Sequence, residues 1–204
     1  MENDKGKINK KRLIVAFGDS LTVGFQSPTW DNPSYIETPY ADFLDERLGG
    51  NAEIVIKGVS GELTEDMLRR FPTDVLARLP DYVVILGGSN DLGWGVKPVR
   101  ITDNLLRMYR DALDADIVPV AVTVPSILGL DSLITPRQRL NAMIKENAAA
   151  LGIPCVDMFT ASAEPGETFR LSERYSNDGL HLSTEGYRLL ADLLYDEVFG
   201  EVFQ

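Results

Sequence analysis

Apolar runs at Leu13–Phe17, Glu53–Ile56, Tyr82–Leu86, Val118–Val124 and Pro154–Asp157 punctuate this chain at wide intervals. They are largely continuous rather than alternating, as expected for parallel strands covered on both faces. Segments of helical period lie between them. Leu140, Ile144, Ala148 and Leu151 share one helix face that stops at Gly152, a residue suited to the left-handed turn that ends a helix. Leu105, Met108 and Ala112 form a second face, and Tyr187, Leu190, Leu194 and Val198 a third. Strand alternating with helix predicts an α/β fold, a three-layer α/β/α sandwich around a central parallel five-stranded sheet.

A chain of 204 residues suffices for one domain with a sizeable core, so residues 13–204 are read as a single domain behind a polar N-terminal extension, residues 1–12. Three connections, Phe25–Thr38, Pro125–Pro136 and Met158–Gly179, are longer than such a fold needs. They carry Trp30, Tyr35, Ile127, Leu128, Leu130 and Leu133, an apolar content that favours functional loops over disordered linkers.

Charge and cysteine usage exclude several classes. Twenty basic against thirty-one acidic side chains leave a net charge of -11. That balance repels nucleic acid and anionic membrane surfaces, so neither is expected as a partner. The N-terminus passes from polar residues through Lys10-Lys11-Arg12 into a short apolar run, too short for a secretory leader, and no stretch approaches bilayer length. A cytoplasmic protein is the expectation. The lone Cys155 rules out an intramolecular disulfide and a cysteine zinc cage. With a single histidine as well, neither a metal nor a cofactor is expected.

Ligands of open α/β sheets bind outside the carboxyl ends of the strands, and the segments just past each strand are informative here. Gly18-Asp19-Ser20 comes after the first, Lys57-Gly58-Val59-Ser60-Gly61 after the second and Gly87-Gly88-Ser89-Asn90-Asp91 after the third. Glycine lets backbone N–H groups approach a ligand, and an asparagine amide adds donors. Donors gathered near a serine meet the requirement of an oxyanion hole. A serine hydroxyl also needs a base, and the base needs an orienting group. The only histidine, His181, stands three residues after Asp178 in Asp178-Gly179-Leu180-His181.

These blocks resemble the SGNH hydrolases, the GDSL family of esterases and lipases. Gly18-Asp19-Ser20-Leu21, Gly61 in Val59-Ser60-Gly61-Glu62, Gly88-Ser89-Asn90-Asp91 and Asp178-Gly179-Leu180-His181 occur in the family's order. The resemblance implies a flavodoxin-like scaffold, Ser20 as nucleophile, His181 as general base and acid, and Asp178 as its orienting carboxylate. It implies an oxyanion hole from the backbone N–H groups of Ser20 and Gly61 and the side chain of Asn90. Many relatives carry an asparagine where Ile56 stands, a departure that touches loop packing and not the catalytic set. The implied reaction is hydrolysis of small or medium acyl or aryl esters through an acyl-enzyme. A carbohydrate O-acetylesterase, a thioesterase and a lysophospholipase would use the same machinery.

Blander readings exist for each residue. Ser20 could be a turn serine opening a helix, and Gly61 and Asn90 turn formers. Asp19 and Asp91 read as structural, and Cys155 as a small buried apolar residue. Trp30, Tyr35 and Trp94, with Ile127 and Leu128, are candidates to contact a substrate; the aromatics would otherwise seal loop edges. A non-catalytic binding module on the same scaffold is the rival of a different class, and a nucleotide or flavin binder lacks the glycine-rich phosphate motifs.

Overall fold

The computed structural model describes residues 11–166 and 168–203. Arg12–Gly18 (β1) opens the sheet, and Phe25–Gln26 (β2) and Ile36–Glu37 (β3) pair antiparallel as a separate small ribbon. Ala52–Gly58 (β4), Tyr82–Leu86 (β5), Val118–Val122 (β6) and Cys155–Val156 (β7) complete the sheet. All its pairings are parallel and the strand order is β4-β1-β5-β6-β7. The chain therefore reverses its direction of winding between β1 and β5, the crevice where doubly wound sheets bind ligands.

Alternation along β1 divides the core in two. Ile14 and Ala16 point to one face with Tyr40 and Leu44 of Tyr40–Leu48 (α2) and with Tyr187, Leu190 and Leu194 of Thr184–Leu194 (α8). Val15 and Phe17 point to the other. There they meet Met67 and Phe71 of Thr64–Asp74 (α3), Leu105 and Met108 of Pro98–Leu113 (α5), and Leu140 and Ile144 of Ile134–Leu151 (α6). The three layers and five parallel strands agree with the expected architecture.

Several boundaries differ from the expected ones. The first strand takes in Arg12, the last residue of the expected extension; residues 1–10 of that extension lie outside the described residues. Strand β6 stops at Val122 because Asn141 occupies the next ladder position. Its amide donates to the Val124 carbonyl at 2.9 Å and accepts from the Val124 N–H at 2.8 Å. Strand β4 is an edge, so Glu53 and Ile56 face solvent despite the apolar run. The long connections are also less irregular than expected. Phe25–Thr38 contains the β2–β3 ribbon, and Met158–Gly179 contains Met158–Ser162 (α7), capped by the Asp157 carboxylate. Pro136 falls in the first turn of α6, where its missing N–H costs no hydrogen bond.

Candidate active site

The first block is built by close packing at the end of β1. A Cβ at Gly18 would lie 2.2 Å from the Leu86 carbonyl oxygen and 2.3 Å from Thr22 Oγ1. Only glycine lets β1 and β5 approach so closely there. Asp19 then caps Ser20–Val23 (α1), its Oδ1 accepting from the Leu21 N–H at 2.9 Å. Ser20 thereby sits at the first helical position, 6% exposed, at the carboxyl rim of the sheet. Asp19 is wholly buried, and burial pushes its carboxyl up to about 6.

The last block is a tight turn ahead of α8. Asp178 Oδ1 accepts from the N–H groups of Leu180 (2.8 Å) and His181 (2.7 Å), a side-chain turn that short aspartates favour. Gly179 has φ +83°, and a Cβ there would meet the Leu128 carbonyl at 2.6 Å. Asp178 Oδ2 lies 2.7 Å from His181 Nδ1 and accepts from Ser27 Oγ at 2.5 Å. His181 Nε2 lies 3.2 Å from Ser20 Oγ. Burial pushes the Asp178 carboxyl up, but donors from His181, Ser27 and the Leu180 and His181 backbone outweigh it and hold the carboxyl below the usual range. An ionised carboxylate only accepts, so Nδ1 carries the imidazole proton and Nε2 presents its lone pair to the serine hydroxyl.

One amide ties the other blocks together. Asn90, in Ser89–Gly93 (α4), directs Nδ2 to the Glu62 carbonyl at 2.9 Å and lies 3.4 Å from Asp19 Oδ2. It thus touches the residue after Gly61 and the residue before Ser20. Gly61 itself has φ +80°, the left-handed region that favours glycine. Asp91 turns inward, accepting from the Thr64 N–H (3.0 Å) and hydroxyl (2.7 Å). It braces the start of α3, and neither of these hydrogen bonds reaches the serine or the histidine turn.

Two arginines add to the site's frame without having stood out in the sequence. Arg70 on α3 donates to the Gly18 carbonyl at 2.9 Å, the Lys57 carbonyl at 3.0 Å and Glu62 Oε2 at 2.7 Å, while its guanidinium lies over the Phe17 ring. It binds the ends of β1 and β4 to the Glu62 loop, and nothing local in the sequence signals this. Arg137 on α6 is buried and donates to Ser89 Oγ at 2.8 Å and the Pro125 carbonyl at 3.3 Å. Burial without a carboxylate lowers its guanidinium to about 10. It lies on the same apolar stripe as Leu140 and Ile144, so the signal available was a charged residue at a core position.

The substrate-contact candidates divide. Trp30 is fully exposed at the tip of the β2–β3 ribbon and lines a cavity of about 530 Å³ with Pro28, Thr29, Pro33 and Asn177. Tyr35 stacks on Phe25 at 5.8 Å, and Phe25 meets the His181 ring edge-on at 4.6 Å. Trp94 is exposed at the end of α4. The expectation for Ile127 is corrected by its burial. Ile127 is buried, and Leu128 packs against the core while its N–H donates to the Gly179 carbonyl at 2.8 Å. Leu128 thereby braces the histidine turn and also lines an open cavity of about 480 Å³ with Asp178 and Gly179, whereas the Ile127 carbonyl accepts from the Leu171 N–H at 3.1 Å. Among the described residues no helix is long and apolar enough to cross a membrane.

The fold thus sets a serine at the carboxyl rim of a parallel sheet beside a histidine and an aspartate. The sequence model of the GDSL-like Lipase/Acylhydrolase family matches residues 16–189, and the chain belongs to that family. It is 36% identical over 124 residues to the uncharacterized lipoprotein YqeF of Bacillus subtilis (strain 168), covering 57% of this chain and 50% of that protein. It is 31% identical over 121 residues to an arylesterase of Vibrio mimicus, covering 57% of each chain. The chain thus spans about half the length of these curated relatives. A GDSL-like lipase from Bacteroides thetaiotaomicron VPI-5482 superposes with a TM-score of 0.78 at 23% identity, over 96% of this chain and 91% of that one. This likeness shows the fold.

Proposed function

We propose that the protein hydrolyses carboxylic esters through a covalent acyl-enzyme on Ser20. The observation that carries this reading is the 3.2 Å approach of His181 Nε2 to Ser20 Oγ, with Nδ1 held at 2.7 Å by Asp178. Such a chain lets the imidazole take the hydroxyl proton as the oxygen attacks the ester carbonyl. The carbonyl oxygen becomes an anion and meets the N–H groups of Ser20 and Gly61 and the amide of Asn90. Collapse breaks the acyl–oxygen bond, and His181 returns its proton to the leaving alcohol. Water then repeats the sequence on the acyl-enzyme, restoring Ser20.

The preferred substrates are small or medium acyl or aryl esters. The exposed Trp30 and Tyr35 beside the Asp178–His181 turn favour a flat or apolar leaving group, and the similarity to an arylesterase supports the same class. The test is a panel of phenyl and p-nitrophenyl esters of rising acyl length, run beside acetylated sugars and acyl-CoA. Highest kcat/KM on the short aryl esters is expected. Turnover of acetylated sugars or acyl-CoA alone would replace the substrate class, and turnover of none would favour a binding module.

A further inference from the structure

Three consecutive residues beyond α1 meet the histidine turn one for one. Phe25 packs its ring edge on His181, Gln26 Oε1 accepts from Asn177 Nδ2 at 3.0 Å, and Ser27 Oγ donates to Asp178 Oδ2 at 2.5 Å. The segment is itself anchored. Buried Gln26 donates to Thr184 Oγ1 at 2.9 Å, the Tyr187 hydroxyl donates to the Phe25 carbonyl at 2.7 Å, and the Thr38 N–H closes the ribbon on Gly24 at 2.8 Å. Asp178 therefore has four donors, two on each oxygen, which matches the acceptor capacity of a carboxylate. The backbone N–H pair fixes Oδ1. Oδ2 is shared between the imidazole and Ser27 alone.

We infer that Ser27 is a positioning residue of the reaction, its hydroxyl holding the Asp178 carboxylate in the plane that aims His181 at Ser20. This rests on the reading of Ser20, His181 and Asp178 as one catalytic unit. The β2–β3 ribbon then does more than border the site: the end of its first strand sets the geometry of proton transfer. Two consequences separate this from a packing role. Without the hydroxyl, Oδ2 is free to swing, and misalignment of the base slows the chemical step more than it weakens substrate binding. The negative charge once shared with Ser27 also concentrates on the imidazole N–H, favouring the protonated ring.

The experiment compares wild type, Ser27→Ala, Ser27→Thr and Ser20→Ala on p-nitrophenyl acetate across about pH 5 to 8, where a histidine changes charge. Ser27→Ala is expected to lower kcat by about tenfold, the worth of one hydrogen bond to a charged group. KM should change little, and the acid limb of the pH–rate profile should move to higher pH. Ser27→Thr, which keeps the hydroxyl, should restore both the rate and the limb. Wild-type kcat and an unmoved limb in Ser27→Ala, with Ser20→Ala inactive, overturn the role of Ser27 and leave the catalytic unit standing. Activity in Ser20→Ala overturns both. If Ser27→Ala fails to fold, Ser27→Cys gives the same reading with a weaker donor: a partial loss with the limb displaced in the same direction supports the role, and a wild-type profile overturns it.

Discussion

His181 Nε2 lies 3.2 Å from Ser20 Oγ although 161 positions separate the two residues. The approach is set from both sides. Asp19 fixes the start of α1 and with it the serine, and the Asp178 turn, supported by Leu128 and Ser27, fixes the imidazole.

The proposed mechanism makes the two one unit, so Ser20→Ala and His181→Ala should each lower kcat by on the order of 10⁴-fold or more, and the double variant no further. Steady-state kinetics of the three proteins check this. Losses that multiply would mean two independent contributions.

Asn90→Ala should lower kcat on the order of 10²–10³-fold with little change in KM, as for loss of an oxyanion donor. Gly61→Ala meets no atom within 4 Å, but its φ of +80° strains any L-residue. It should therefore destabilise by about 1 kcal/mol while lowering kcat, because the N–H at that position is re-aimed. Denaturant melts and kinetics on the same preparation separate the two effects. A destabilised Gly61→Ala with unaltered kcat would remove that N–H from the mechanism.

Asp19 gives a pH prediction with a definite sign. Its carboxyl is raised from 3.8 to about 6 by burial, so the folded state binds the proton more tightly than the unfolded chain. Its contribution to stability is whole below about pH 4 and is lost as pH rises through about 6. Asp19→Asn keeps an acceptor for the Leu21 N–H and cannot ionise. The stability of the variant relative to wild type should therefore grow between about pH 4 and pH 7, by roughly 3 kcal/mol at most. Parallel stability curves would show that Asp19 does not titrate in this way.

Arg70→Ala should cost about 2–4 kcal/mol, since it strands the Glu62 carboxylate and two strand-end carbonyls. Arg70→Lys should recover little of this, because a point charge cannot reproduce the fork that reaches all three. Chemical denaturation measures both. Full recovery by lysine would reduce the role of Arg70 to charge alone.

Much of the fold is legible in the sequence because parallel strands leave a strong signature, and β5 coincides with its expected Tyr82–Leu86. The register that aligns Gly18 with Gly58 on one side and Leu86 on the other brings the rim blocks together. The features that leave no local signature depend on contacts remote along the chain. Asn141 ends β6 across 17 positions, and Ser27 reaches Asp178 across 151. Helix α3 carries Pro72 within it, which masks a buried stripe of Thr64, Met67 and Phe71. Ile127 is buried, but an aliphatic residue in a long loop reads the same whether it faces a ligand or the core.

The most direct measurement is mass-spectrometric mapping of the protein after reaction with a fluorophosphonate, which attacks only an activated serine. The account predicts one adduct per chain, located on Ser20, and its near-abolition in His181→Ala. Ester hydrolysis that continues while Ser20 stays unmodified, or an adduct on another serine, would contradict it.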